Sequence, residues 1–577
     1  MSYRAIIDAT SRPAAGSNGH GSGLGGVAPR APAYKRRAAR VPVAVGVAAG
    51  LLVLWLLVDP RTPDLAAQVY RLGLYERAGL SVFDEHWYAG HALPGYSLLF
   101  GPLASLIGMR ALAVVSVLVS VGLFERIVLG VYGDEACVRW GACLFAVAAV
   151  GDVWSGRLTF ALGVTLALAS VYALSRERLL VAALAAGLCA AASPVAGVLL
   201  ALAGLSYALA RREPMVLLAV GAPVALVVGS VRALFAEGGY EPYPTTSLVA
   251  TAIVVCLFLW ALPRGERNRV VRVGAVVYLL ACLLCVAVQT PMGSNIERYG
   301  VLLAGPLLLC GLAGEERQAG DWRGGRRGRG ASRRMAYAKP IVVGVAVCVA
   351  MAWTVWGPVR ETRAVAGSPA TRASYYAPVE RYLREHGAGV ERVEVPLTRS
   401  HWEAAMLAPS VSLARGWEKQ LEERYDSALL GAGLTAAGYR AWLQQEAVAY
   451  VALPDVPLDP SSAREGRLIR GGLAYLKPVW ANGHWRVYAV GEARPLVEGA
   501  GRVTALGSDT FAVYADAPGR LLVRVHYTRY DTVLAGHGCV ASAPGGWTSV
   551  RAGARGEIVV GARFSLGRAL GLDGVCH

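Results

Sequence analysis

The chain has 577 residues, 55% of them apolar, and a formal net charge of +17. Its mean hydropathy is +0.43. With repeated apolar runs near the ~20 residues a helix needs to cross a bilayer, it reads as a polytopic helical membrane protein rather than a soluble fold. The charge does not mark a nucleic-acid binder, because the basic residues gather at the ends of apolar runs, where the positive-inside rule puts them.

In chain order, residues 1–33 are rich in Gly, Ser, Ala and Pro without apolar periodicity, so residues 1–40 are expected to form a disordered basic cytoplasmic tail. Lys35, Arg36, Arg37 and Arg40 precede the apolar run Val41 to Val58. Asp59 and Pro60 follow at once with no small-residue cleavage pattern, so the run reads as an uncleaved signal anchor with its N-terminus inside. The next stretch, 59–96, is then external. It packs Asp59, Asp64, Glu76, Asp84, Glu85, His86 and His91 among Tyr70, Tyr75, Trp87 and Tyr88, between nearly charge-free segments. A polar, aromatic loop at a membrane face is where chemistry is expected.

Leu98 to Leu129 is long enough for a short re-entrant or interfacial helix and a second span. Spans follow at about 137–153 and 158–174, around the external turn Trp154 to Arg157. The next two meet at Ser193 and Pro194, and another covers 215–231. An eighth returns at Arg264 to Arg272, a ninth covers 273–288, a tenth leads into the basic stretch Arg317 to Lys339, and Pro340 to Trp356 makes about eleven. Most dense Arg groups then share one side, and Arg157, Arg232 and Arg298 fall on the other, the expected active face. The Gly/Arg segment 315–339 has the composition of an RNA or anionic-lipid binder, but a loop that fixes topology is the simpler reading.

The membrane domain is thus expected over 41–357, followed by an extracytoplasmic module. RVEVPL and AYVALP read as buried strands, and LTAAGYRAWLQQEA as a helix with Thr435 near its start, giving an α/β region over 358–495. Beyond it, FAVYADA, LLVRVHY and EIVVGARFSL alternate like strands of a β-sandwich over 496–577. Eight of the ten cysteines lie in or beside apolar spans and read as small hydrophobes, including the Cys282/Cys285 pair. Cys539 and Cys576 are the only two in the module, and a disulfide between them is expected if that side is oxidising.

No P-loop, GxGxxG before a helix, HExxH or GxSxG motif is present, which leaves soluble-type nucleotide or zinc chemistry unsupported. A membrane enzyme handling a lipid-linked sugar needs a carboxylate to deprotonate the acceptor hydroxyl and a cation to hold the phosphate leaving group, both at the water interface. Asp64, or the Asp84, Glu85 pair, offers the base. Arg298 and Arg157 offer the cations, with Asn295 as a neutral donor. Trp87, Tyr88 and Tyr96 could stack on a sugar ring, with His86 beside them. His86 and His91 could also ligate a metal, although imidazoles in a loop more often meet water, so a divalent cation stays open. Each choice has a plainer reading. Asp64 could only cap a helix starting after Pro63, Asp84 and Glu85 could be solvated loop charges, and Arg157 could snorkel to headgroups. Arg298 could pair locally with Glu297, and Glu237 and Glu241 read as loop solvation.

At these residues the chain resembles the GT-C superfamily of polytopic glycosyltransferases, which use polyprenyl-phosphate sugars as donors. In that superfamily the first external loop carries an essential acidic residue, as PDLAAQVYR with Asp64 does here. VFDEHWYAGHALPGYSLLFGPL is similar to the acidic or Trp-containing stretch that leads into the next helix, and the external tail is similar to that of actinobacterial arabinofuranosyl- and mannosyltransferase-like members. The likeness covers about residues 42–357 in topology, but only Asp64 and the 83–102 segment in detail. Adjacent acidic residues are lacking at Asp64, which leaves Asp64 and Asp84 both open as the base. The resemblance implies an inverting transfer, by direct displacement, from a polyprenyl-phosphate sugar to an external cell-envelope glycan or glycolipid in the cell membrane. A transporter or flippase is the first alternative, weakened by the lack of internal repeats and the scarcity of mid-span charges. A non-catalytic envelope scaffold is the second.

Overall fold

In a computed structural model, residues 42–313, 333–387, 389–431, 433–572 and 576 are described. The expected N-terminal tail and the 315–332 part of the basic segment lie outside them. The fold is mainly helical. Helix α1 (Val43–Val58) ends at Asp59, and Pro60 cannot continue it. Pro63 at the first helical position then starts α2 (Pro63–Ala78), bent 79° away from α1. Unlike the wholly apolar α1, α2 mixes charged and aromatic residues.

The short α3 (Phe100–Ile107) turns at Gly108, with φ +86°, into α4 (Met109–Tyr132). There follow α5 (Ala136–Trp154), α6 (Leu158–Ser175), α7 (Leu179–Ala192) and α8 (Pro194–Arg211). The Ser193 hydroxyl caps α8 by accepting the Ala196 N–H at 3.3 Å. Helix α9 (Leu217–Leu234) opens on a π-helical turn. The set is completed by α10 (Thr245–Ala261), α11 (Arg269–Ala287), α12 (Glu297–Gly311) and α13 (Arg333–Val365). Every expected span therefore has its helix. Among the described residues, seven helices are long and apolar enough to cross a membrane, or eight if the bent α1–α2 pair is one span. The 14 residues of α7 cover about 21 Å, short of a bilayer core of ~30 Å, so it and the other short helices stop part-way or need a locally thinned bilayer. The chain is a multi-pass membrane protein. Helix α13 differs from expectation: it runs nine residues past Trp356, through Gly357 and Pro358.

Beyond α14 (Ala373–Glu385), a mixed five-stranded sheet has the order β4-β3-β5-β7-β6, with β3 (Arg392–Glu394), β4 (Ser412–Leu413), β5 (Val448–Pro454), β6 (Leu476–Ala481) and β7 (Trp485–Val490). Strand β3 is parallel to β4 and β5, and β7 is antiparallel to β5 and β6. Helix Ala436–Gln445 is capped by Thr435, which accepts the Gly438 N–H at 3.0 Å. The rest of the chain forms two four-stranded antiparallel sheets, ordered β12-β15-β10-β9 and β13-β14-β11-β8. Their strands are β8 (Val497–Glu498), β9 (Gly501–Leu506), β10 (Thr510–Ala515), β11 (Gly519–His526), β12 (Asp531–Ala535), β13 (Gly538–Ser542), β14 (Trp547–Ala552) and β15 (Gly556–Ala562). Phe511, Val513, Val523, Val550 and Val560 fill the space between these sheets. Cys539 on β13 is joined to Cys576 by a disulfide.

The loop after α2 is the joint between membrane part and module. It forms a hairpin of β1 (Phe83–Asp84) and β2 (His91–Ala92), and the module folds over it. The Trp87 indole N–H donates to the Ala404 carbonyl at 3.0 Å, the Glu85 N–H to Ser508, and the Leu413 N–H to His86. Gly416 lies so close to the indole that a Cβ there would come within 2.4 Å of it.

Candidate active site

The site is built where the α5–α6 turn meets the start of α2. Thr62, at the N-cap of α2, donates its hydroxyl to the Trp154 carbonyl at 3.1 Å. Gly156, with φ +83°, lies against the α2 backbone, where a Cβ would sit 2.3 Å from the Leu65 nitrogen. Only a residue without a side chain fits there, and it sets Arg157 beside Asp64. Arg157 Nε donates to Asp64 Oδ2 at 3.1 Å, its Nη2 donates to Glu361 Oε1 at 3.1 Å, and Asp152 Oδ1 lies 3.6 Å from its Nη1. Glu361 comes from the unexpected extension of α13, which Thr362 pins by accepting the Trp154 indole N–H at 2.9 Å. Burial opposes the Arg157 charge, but Glu361, Asp64 and Asp152 outweigh it and raise the guanidinium above its ordinary value.

Asp64 and Arg157 line a cavity of about 750 Å³, together with Arg298, Asn295 and Tyr96. Asp64 makes no capping bond and keeps 31% of its side chain accessible, so its carboxylate is bonded to Arg157 yet open to the cavity. Arg298, in the first turn of α12, sits over the Phe160 ring with its guanidinium carbon 5.3 Å from the centroid. Among the described residues, no carboxylate forms an ion pair with Arg298, and the expected partner Glu297 does not reach it. One guanidinium is therefore saturated by acids and the other is available.

Glu237 and Glu241 also line the cavity and are not solvated loop charges. Glu237 accepts the Ala92 N–H at 2.5 Å and the Tyr425 hydroxyl at 3.0 Å, and Glu241 accepts the Ser294 hydroxyl at 2.8 Å. Burial raises both carboxyls to about 7. Tyr96 reaches the cavity, but Gln68 donates to its hydroxyl and Arg71 covers its ring at 3.6 Å, so that face is taken. Arg71 in turn pairs with Glu418.

The other expected site residues are elsewhere. Asp84 is fully buried beneath the module, with the Tyr70 hydroxyl 2.9 Å from each carboxylate oxygen and the His86 N–H donating to Oδ1 at 3.2 Å. Burial pushes its carboxyl to about 7. Glu85 is buried too, and burial raises it well above the carboxylate range. Burial lowers His86 to about 4 and His91 to about 3, so both rings are neutral. Trp87 stacks on Tyr70 at 4.2 Å, and Tyr88 bonds the Glu418 backbone through its hydroxyl. None of these five residues, Asp84 to Tyr88, lines the cavity. They form the packed joint, since residues some three hundred positions later cover them. Among the described residues no group of three or more His, Cys, Asp or Glu is arranged to hold a metal ion.

The module supplies an aromatic that the sequence reading missed. Trp417 lines the cavity beside Glu418, Lys419 and Gln420. Behind it the His401 ring is stacked at 3.4 Å, with Nε2 3.5 Å from Asp459. One indole face is thus backed by an imidazole. No local signal marks Trp417, because its position depends on the sheet that carries it. The cavity lining also includes apolar side chains, among them Val195, Val198, Val227, Val231, Trp353 and Trp356.

No family model matches the chain, and no curated protein matches it. Among solved structures it is similar to the arabinofuranosyltransferase AftD from Mycobacteria, at 14% identity and a TM-score of 0.43, over 90% of this chain and 57% of that one. It is similar to ArnT from Cupriavidus metallidurans in the apo state, at 12% identity and a TM-score of 0.44, over 78% of this chain and 97% of that one. The same protein bound to undecaprenyl phosphate aligns at 11% identity and a TM-score of 0.36, over 78% and 98%. This chain thus spans little more than half the length of AftD.

Proposed function

We propose that the protein is an integral membrane glycosyltransferase of the GT-C kind, moving a sugar from a polyprenyl-phosphate donor to an extracytoplasmic cell-envelope glycan or glycolipid. The observation that supports this reading is the make-up of the cavity. Asp64 and the unpaired Arg298 share one hollow whose lining mixes charged groups with Val195, Val198, Val227, Trp353 and Trp356, which suits an amphiphile with a phosphate head. In this reading Arg298 binds the phosphate, with Asn295 as a second donor. Asp64 is the general base, and Trp417 offers its indole to the acceptor ring. Arg157 is a positioning residue that fixes the Asp64 carboxylate. The acceptor oxygen attacks the anomeric carbon, its proton passes to Asp64, and the bond to phosphate breaks with the electron pair leaving on phosphate oxygen. Configuration inverts. The N-terminus is cytoplasmic and the module external, in line with the Arg distribution.

The test supplies the purified protein with radiolabelled polyprenyl-phosphate sugars and envelope acceptors. Asp64→Asn is expected to lower kcat on the order of 10²–10⁴-fold, as loss of a general base does. Arg298→Ala is expected to lower kcat/KM by roughly 10–100-fold through the lost charge-assisted bonds. Equal transfer by wild type and Asp64→Ala removes Asp64 from the mechanism.

A further inference from the structure

The β-sandwich meets the membrane part at a second place, the end of α9. Only 17% of the apolar stretch Leu217–Leu234 is buried inside the protein, so lipid surrounds most of this helix along its length. Its last carbonyl, on Leu234, accepts the Tyr530 hydroxyl at 2.8 Å. The next residue, Phe235, packs on Tyr530 at 5.2 Å and on Phe564 at 5.8 Å, and those two rings lie 5.4 Å apart. The polar stretch with Glu237 follows directly, so this ring cluster marks the depth at which bilayer gives way to water, where membrane proteins concentrate aromatic side chains.

At that level the strap following β15 exposes Phe564, Leu566, Leu570 and Leu572 by 47%, 69%, 70% and 76%. Ala569, between them, is buried in the cluster with Tyr530 and Phe83, which fixes the strap against the sandwich. Leu80, in the turn ending α2, is 73% exposed, and Val82 two residues on packs into the same cluster. Arg529 donates to the Ala569 carbonyl at 3.2 Å, and the exposed Arg563 pairs with Asp509 at 2.7 Å, which brings basic groups alongside the leucines. Leucines bared beside a lipid-facing helix end, with guanidinium groups next to them, have the pattern of a monotopic membrane contact.

We propose that the strap 563–572, together with Leu80, is a membrane foot: its leucines enter the leaflet around the end of α9, Arg529 and Arg563 meet lipid phosphates, and the sandwich is held down on the bilayer. The partner is the lipid surface itself, because the strap packs through Phe564 on Phe235 at the end of the lipid-exposed α9.

The experiment uses the full chain in phosphatidylcholine nanodiscs, with the exposed Cys256 and Cys348 replaced by Ser. An environment-sensitive NBD dye is attached through Leu570→Cys, and in a control through Arg555→Cys, just before the far end of β15. The expected result is loss of NBD emission at position 570, not at 555, when the nanodiscs carry doxyl-labelled phosphatidylcholine. Quenching at 570 by aqueous iodide but not by doxyl lipid would overturn the proposal. Shielding from both quenchers would overturn it as well, by showing a protein occupant. Leu566→Cys repeats the measurement if the first variant fails to fold.

Discussion

Arg157 sits among three carboxylates, and its value is structural before it is chemical. Arg157→Gln leaves Asp64, Asp152 and Glu361 facing one another without a counter-charge. The expected cost is on the order of 2–3 kcal/mol, toward the low end for a broken ion pair because the group is partly open to the cavity. Thermal unfolding in detergent measures it, and Arg157→Lys, which keeps the charge without the fork, should fall between the two. Asp84 gives a pH prediction of definite sign. Its carboxyl rises from 3.8 to about 7 on folding, so between these values the folded protein holds a proton the unfolded chain has lost. Stability from this group is therefore present at low pH and declines as pH rises through that window, and Asp84→Asn should flatten the slope. A melting series across pH 4 to 7 in both proteins checks it. That Asp64, Arg157 and Arg298 would come together at one cavity was legible because a charge beside an apolar span stands out. The Asp84 to Tyr88 group was not, because local sequence does not record that residues from 404 to 418 will bury it.

At the level of elements, the turn between α5 and α6 carries the argument. Gly156 combines φ +83° with a backbone approach that leaves no room for a methyl group. Gly156→Ala is expected to cost roughly 1–3 kcal/mol in backbone strain, with more from the clash on Leu65. Under the proposed function it should also draw Arg157 away from Asp64, lowering kcat while leaving donor binding at Arg298 nearly intact, a split that steady-state kinetics reads. The helices themselves were readable from punctuation. Pro60 and Pro63, and Ser193 with Pro194, fall at helix boundaries. The end of α13 was not, since Gly357 and Pro358 look like a stop and are carried inside the helix. The misreading matters, because that extension delivers Glu361 to Arg157.

On the scale of the whole molecule, the membrane part and the module share a continuous core through Trp87. The two kinds of architecture were visible in the change from long apolar runs to short alternating ones. Their contact was not, because it pairs segments far apart in the chain. Trp87→Ala should open a cavity worth about 3–5 kcal/mol and loosen the module, which limited proteolysis would register as faster cleavage between α13 and α14.

Trp417 to Gln420 close a hollow whose opposite wall begins at Asp64, and the two are encoded more than three hundred residues apart. A nascent chain can therefore complete α13 while this hollow still lacks part of its wall. Under the proposed function, a ribosome halted before Trp417 would leave behind an embedded stump unable to spend donor lipid.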